Sequence, residues 1–158
     1  MFDVASGTLR ALPEINEGAA EGVASPRWLI LLVDDLLDAR ELYAQYLTYA
    51  GFSVVTAING HEAVRLAELL HPDLILMDIR LPGMDGLEAT SDLKANPAVA
   101  DIPVVAITAD ESEEVRERAQ RVGCSAFISK PALPDAVARS IVAILSGEQR
   151  LDSSTDGG

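Results

Sequence analysis

The sequence predicts an α/β fold, a three-layer, doubly wound sandwich with a five-stranded parallel sheet between helices. Three observations lead there. Five short apolar runs recur, at residues 28–33, 52–57, 74–77, 104–107 and 126–129. Each is followed by a segment with helical spacing or helix start and stop signals. The runs are continuous rather than alternating, which marks strands covered on both faces. Strands joined through helices must run parallel, with right-handed crossovers. Strand order is left open by the pattern itself.

The elements follow in order. After the first strand a helix is predicted over 37–49, with Leu42, Tyr43, Tyr46 and Leu47 on one side and Gly51 as its stop. After the second strand, Asn59 and Glu62 stand at capping-box spacing and open a helix to residue 70. Ala63, Val64, Ala67 and Leu70 form its apolar stripe, and Pro72 forbids continuation. Asp85 and Glu88 repeat the capping spacing after the third strand and open a helix to about residue 95. The fourth helix covers about 112–122. Glu111, Glu113 and Glu114 lie at its start and Arg116, Arg118 and Arg121 further along, which suits the helix dipole. Gly123 ends it. The last helix covers 134–145, with Val137, Ile141 and Leu145 at core spacing.

Residues 1–26 are rich in Gly, Ala, Glu and Ser and sustain no hydrophobic period, so a flexible leader is expected, with a short helix near 8–12. Residues 147–158 have the composition of a disordered tail. One domain, 27–146, is expected between them.

At 158 residues and 49% hydrophobic, the chain has ample material for a core. Its 25 acids against 12 bases give a net charge of −13. Such a surface repels nucleic acid and anionic lipid, so direct binding to either is disfavoured. No stretch approaches the ~20 apolar residues of a membrane span. The start, Met1-Phe2-Asp3-Val4, lacks the basic residues of a secretory signal. A soluble, cytoplasmic protein is expected. The single Cys124 excludes an internal disulfide and a Cys-based zinc site, and is read as a small, semi-buried side chain. His61 and His71 have no ligand or catalytic partner at suggestive spacing and are read as surface residues.

The chemistry lies at the strand ends. Asp34 and Asp35 close the first run, Asp78 the third, Thr108 the fourth and Lys130 the fifth. In a parallel sheet these ends open onto one edge, where ligands bind. Each residue alone has an ordinary reading: a helix-capping acid, a β-forming threonine, a solvated lysine. Together they make a site for a hard cation and a phosphoryl group. Two adjacent acids plus Asp78 offer the oxygen ligands that Mg²⁺ prefers. Asp78 is a candidate nucleophile, because carboxylates form aspartyl phosphates. Lys130 would neutralise phosphoryl oxygens, and Thr108 would donate a hydrogen bond to one. The Lys130–Pro131 bond is one of the few at which a cis form is accessible. Arg80 and Asp110 lie two residues after Asp78 and Thr108, and are expected to form an ion pair across the site entrance.

The stretch from about residue 28 to 145 resembles the receiver domain of two-component response regulators. The resemblance rests on Val33-Asp34-Asp35, on Leu74-Ile75-Leu76-Met77-Asp78 followed by Leu81-Pro82-Gly83-Met84-Asp85-Gly86, on Thr108-Ala109 and on Lys130-Pro131. It implies the flavodoxin-like strand order 2-1-3-4-5, for which the chemotaxis regulator is a standard example. It also implies a stand-alone signalling module. Asp78 would accept a phosphoryl group from a sensor histidine kinase or a histidine phosphotransfer protein. Asp35 and Asp78 would ligate Mg²⁺ directly, Asp34 through water, and the backbone carbonyl of Arg80 would complete the protein ligands. Thr108 would swing toward the phosphoryl group and vacate space for Phe127, the switch aromatic. Phe127 carries no hydroxyl, so a signal through a tyrosine hydroxyl is absent. The fourth helix, fifth strand and fifth helix (the α4-β5-α5 face) would bind a downstream protein or a second copy, giving a monomer or a phosphorylation-dependent homodimer. The resemblance implies a phosphoacceptor that assists its own phosphotransfer and dephosphorylation rather than an enzyme.

Two other readings compete. A Mg²⁺-dependent phosphatase of the haloacid-dehalogenase type also uses an aspartyl nucleophile, a threonine or serine, and a lysine. It resembles this chain poorly, because its second Asp two residues after the nucleophile is Arg80 here, and the nucleophile lies on the third strand rather than the first. A receiver-like scaffold that is never phosphorylated would not need all five site residues.

Overall fold

The computed structural model describes residues 28–147. The expected leader 1–26, its helix near 8–12, and the expected tail beyond Gly147 lie outside the described residues. Strands β1 (Leu29–Val33), β2 (Ser53–Ala57), β3 (Leu74–Asp78), β4 (Val104–Thr108) and β5 (Ala126–Ser129) alternate with helices α1 (Leu37–Tyr49), α2 (Gly60–Leu70), α3 (Gly86–Ala95), α4 (Glu113–Val122) and α5 (Pro134–Leu145). All strand pairs are parallel, in the order β2-β1-β3-β4-β5. This is the three-layer, flavodoxin-like sandwich expected from the sequence.

Strand periodicity divides the core in two. Ile30, Leu32, Leu74, Leu76, Val105 and Ile107 face Tyr43 and Leu47 of α1 and Val137, Ile141 and Ile144 of α5. Leu31, Val33, Ile75, Met77 and Val104 face the opposite way, toward Ala63 and Ala67 of α2 and Ala89 and Leu93 of α3. A smaller cluster under α4 joins Ile79, Leu87, Ala106 and Ala119. The alanines of α2 let that helix lie close to the sheet.

Double burial holds for the three central strands and fails at the edges. β3 and β4 are buried throughout, whereas β2 and β5 are largely half-exposed. An apolar run does not reveal which strand lacks a neighbour on one side. Leu42 is exposed although it was expected on the buried side of α1; Tyr43 and Leu47, four apart, define the stripe, and Leu42 lies off it. Leu70, in the last turn of α2, is also partly exposed.

The helix starts read from sequence are present, with one difference. Asp85 Oδ1 accepts from the backbone N–H groups of Leu87 and Glu88 at 2.8 Å, and Glu88 Oε1 accepts from Asp85 N–H at 3.0 Å, a complete capping box. Asn59 Oδ1 accepts from Glu62 N–H at 2.8 Å, but Glu62 Oε1 reaches one residue further back, to Ile58 N–H at 2.9 Å. Gly123 ends α4 with a φ of 103°, a left-handed conformation that favours glycine. Cys124 is half-buried, and burial pushes its thiol up to about 11. His61 and His71 are exposed. Among the described residues no helix is long and apolar enough to cross a membrane.

The turn after β3 fixes where the strand's terminal carboxylate points. Gly86 N–H donates to Ile79 O at 2.8 Å, folding the start of α3 back against the strand end. A Cβ at Gly86 would overlap the carbonyl oxygen of Asp78 and come within 2.9 Å of Ile79 Cα, both unyielding backbone. Gly86→Ala is therefore expected to cost about 2–3 kcal/mol of stability. Urea unfolding of the purified variant checks this.

Candidate functional site

Three adjacent strands, β1, β3 and β4, and the edge strand β5 deliver the site. The parallel ladder continues one residue past β1, where Asp34 N–H donates to Ala57 O at 3.1 Å. Asp34 is 2% exposed; its Oδ1 accepts from Leu36 N–H at 2.9 Å. Asp35, next in the chain, is exposed. Asp78 ends β3 at 4% exposure, and its Oδ1 accepts from Arg80 N–H at 3.1 Å. Thr108 ends β4, buried, with its hydroxyl oxygen accepting from Asp110 N–H at 3.2 Å.

Lys130 reaches across from β5. Its backbone N–H donates to Thr108 O at 2.8 Å, and the Lys130–Pro131 peptide bond is cis. Its Nζ lies 3.3 Å from both Asp34 Oδ2 and Asp78 Oδ2. One ammonium thus bridges two buried carboxylates. Burial pushes Asp78 up to about 6; Lys130 pulls it down, and the neighbouring charge of Asp34 adds to the rise. For Lys130, burial works downward, but the charges of Asp78 and Asp34 override it and leave the ammonium held above its ordinary range.

The donor set fits a hard divalent cation. One carboxylate oxygen from each of Asp34, Asp35 and Asp78 lies within 4.8 Å of the others. The inner acids are already engaged by Lys130 and by backbone N–H groups. No protein donor contacts the Asp35 carboxylate among the described residues, so its oxygens are available to an incoming ion.

At the entrance, Arg80 Nη2 donates to Asp110 Oδ2 at 3.0 Å, the ion pair expected from the sequence. A hydrogen bond from Ser112, together with Arg80, holds the Asp110 carboxyl below its ordinary range. An open cavity of about 500 Å³ adjoins Asp35, with Arg80, Pro82, Asp110 and Arg118 on its walls. Phe127 pairs with Ala106 across β4–β5, while Thr108 pairs with Ser129. The Phe127 and Thr108 side chains therefore share a face as diagonal neighbours.

Four contacts around the site, among others, went unread in the sequence. Arg40 Nη1 donates to Asp34 O at 2.9 Å and pins the β1–α1 loop. Tyr43 Oη donates to Ala132 O at 2.7 Å and ties the β5–α5 loop to α1. Arg118 pairs with Asp85 at 3.3 Å, linking α4 to the cap of α3. The Arg116 guanidinium sits 4.6 Å above the centre of the Phe127 ring. Arg40 alone had a sequence signal, a cation in the first turn of the helix that follows the paired acids; the others depend on tertiary proximity.

Comparison with known proteins agrees with this geometry. The family described as response regulator receiver domain matches residues 30–142. The polar-differentiation response regulator DivK of Brucella ovis is 40% identical over 102 residues, covering 65% of this chain and 83% of the relative. DivK of Brucella anthropi is 40% identical over 106 residues, covering 67% and 85%. Among solved structures, the chemotaxis response regulator CheY4 of Vibrio cholerae superposes with a TM-score of 0.71 at 26% identity, covering 75% of this chain and 99% of that one. The signal receiver domain of a histidine kinase from Syntrophus aciditrophicus gives 0.71 at 33% identity, covering 78% and 93%.

Without metal, an Asp78 held above the carboxylate range destabilises the fold as pH rises. The unfolded chain releases its proton near pH 4, the folded chain near 6, so stability falls across that window and stays lower above it. Asp78→Asn removes this penalty. In EDTA it is expected to be more stable than wild type by about 1–3 kcal/mol at pH 7.5, with the difference fading toward pH 4. Urea titrations at both pH values measure it.

Proposed function

Because the chain belongs to the response regulator receiver family, we propose that it is a phosphoacceptor in a two-component phosphorelay, with Asp78 as the residue modified. The observation that carries this reading is the buried Asp78 carboxylate at the carboxyl edge of the sheet, beside the Lys130 ammonium and two further acids.

An Asp78 carboxylate oxygen attacks phosphorus in line. The bond to the donor's imidazole nitrogen breaks as the new O–P bond forms; that nitrogen keeps the electron pair, and the imidazole, carrying a proton on its other ring nitrogen, leaves neutral. Asp35, Asp78 and the backbone carbonyl of Arg80 would hold Mg²⁺ directly, and Asp34 through water. When bound, the ion supplies charge neutralisation for the phosphoryl oxygens. Lys130 exchanges its contact with the Asp78 carboxylate for one with a phosphoryl oxygen, keeping Asp34 as its anchor. Thr108 turns its hydroxyl from the Asp110 N–H to donate to the same group. That movement opens the space into which Phe127 shifts and so remodels the α4-β5-α5 face.

The donor is a sensor histidine kinase or a histidine phosphotransfer protein. Leu36 and Leu37 on the β1–α1 side and Leu133 after β5 are more than half exposed and flank Asp34 and Lys130 in sequence, an apolar rim suited to such a partner. The output is a protein bound at the α4-β5-α5 face, or a second copy of this chain. The net charge of −13 favours a protein output over nucleic acid, and the setting is the cytoplasm. On this reading the chain is no turnover enzyme: it is the substrate, and it helps remove its own phosphoryl group. The phosphatase reading is disfavoured because the position of its general acid is Arg80, whose side chain is paired with Asp110.

Acetyl phosphate with Mg²⁺ is expected to add one phosphoryl group by intact mass, and Asp78→Asn or EDTA to prevent it. Labelling that survives Asp78→Asn, or steady turnover of an aryl phosphate, would sink the proposal. The entrance pair restrains water, so Arg80→Ala and Asp110→Ala should shorten the phosphoprotein lifetime by up to about fivefold. Time courses of loss of the phosphoryl mass read this directly.

A further inference from the structure

We propose that Arg116 is a latch on Phe127, holding the α4-β5-α5 face in its unphosphorylated arrangement. The inference rests on the reading of Phe127 as the residue that moves, and assigns the contact that opposes its movement.

The ring stands on the edge strand β5, half-exposed, packed against the cluster of Ile79, Leu87, Ala106 and Ala119. The Arg116 guanidinium covers it from the exposed side of α4, 4.6 Å from the ring centre. That geometry is attractive, because a cation over a π face meets the negative side of the ring quadrupole. Arg118, two residues on, is already engaged with Asp85. Arg116 has no ion-pair partner among the described residues. The acids on its own helix, Glu113, Glu114 and Glu117, are exposed and form no ion pair with it.

Phe127 has no hydroxyl with which to hydrogen-bond into either position. Its location is therefore set by packing and by this one directional contact. Moving the ring inward, toward the space beside Thr108, carries it away from the guanidinium. The attraction then counts only on the unphosphorylated side of the equilibrium. A contact made in one state alone shifts the populations by its own strength, about two- to fivefold for an exposed cation–π pair. Because the phosphoryl group is held in the inward arrangement, whatever favours the inward ring raises affinity for that group, by up to the same factor when the inward arrangement is the minor one.

This gives a test that needs no output partner. Beryllofluoride with Mg²⁺, a mimic of the bound phosphoryl group, is titrated into the full chain, and affinity is read by calorimetry. Arg116→Met keeps the aliphatic stem and removes the charge; it is expected to bind beryllofluoride about two- to fivefold more tightly than wild type, with Arg116→Lys between the two. A plain electrostatic effect has the opposite sign, since losing a cation weakens binding of an anion. In a Phe127→Leu background, Arg116→Met is expected to leave affinity unchanged. Unchanged or weaker binding by Arg116→Met, or the same gain in the Phe127→Leu background, overturns the latch while wild-type binding leaves the phosphoacceptor reading standing. Failure of wild type to bind beryllofluoride overturns both.

Discussion

The structure depends on one ammonium placed between two buried carboxylates. Lys130 Nζ at 3.3 Å from Asp34 and Asp78 makes it possible for both acids to stand at the sheet edge almost without solvent. For Asp78, taking the charge out of water costs more than the attraction of Lys130 returns, so this carboxylate is a burden on stability rather than a source of it. The stability comes from the two apolar layers on either side of the sheet, where β3 and β4 are buried throughout. Asp78, left short of compensation, is raised to about 6. A cation beside Asp35, or a phosphoryl group facing Lys130, changes that imbalance directly. On the phosphoacceptor reading, a site arranged in this way responds to charge because it is not at rest without it.

The rigid parts of the site were legible in the sequence. Asp34, Asp35, Asp78, Thr108 and Lys130 each end an apolar run, and a parallel sheet gathers run ends on one edge whatever the strand order. The order itself came only from resemblance, since every βαβ unit satisfies the same local rules. The ends of α1 and α4 followed from punctuation by Gly51 and Gly123. The exposure of β2 and β5 could not be read, because edge position belongs to the sheet and not to the strand. Leu42 misled for a related reason: one helical turn holds more apolar residues than its buried face can use. The capping spacing of Asn59 and Glu62 was right about the helix start, but the choice of Ile58 N–H over Asn59 N–H is a matter of side-chain reach.

The contacts that escaped sequence reading share a feature. Arg40, Tyr43, Arg116 and Arg118 all act from helices onto neighbouring loops, caps or strands, and three of the four act through a guanidinium. A long, planar, permanently charged side chain can engage a carbonyl, a carboxylate or a ring, so its partner is chosen by geometry alone. The glutamate-to-arginine gradient along α4 was read as complementing the helix dipole, and it does. The same arginines also bind α4 to its surroundings, one to the cap of α3 and one to β5.

The softness of β5 then acquires a use. Central strands packed on both faces at crystal-like density cannot move a side chain without opening a void. A ring on β1, β3 or β4 would be fixed. β5 is half-exposed along its whole length, with Phe127 lying over a small satellite cluster rather than in either main layer. It is still joined to the site, because Lys130 follows it and hydrogen-bonds to the end of β4. The edge strand is therefore where the charged site meets a deformable surface. A change of charge at Asp78 reaches Thr108 on the adjacent strand, and Thr108 and Phe127 lie diagonally across one strand pair. The path is short, and each step is a contact between neighbours. On the proposed reading, what decides the direction of response is the balance of forces on a single ring, packing from within and a guanidinium from without.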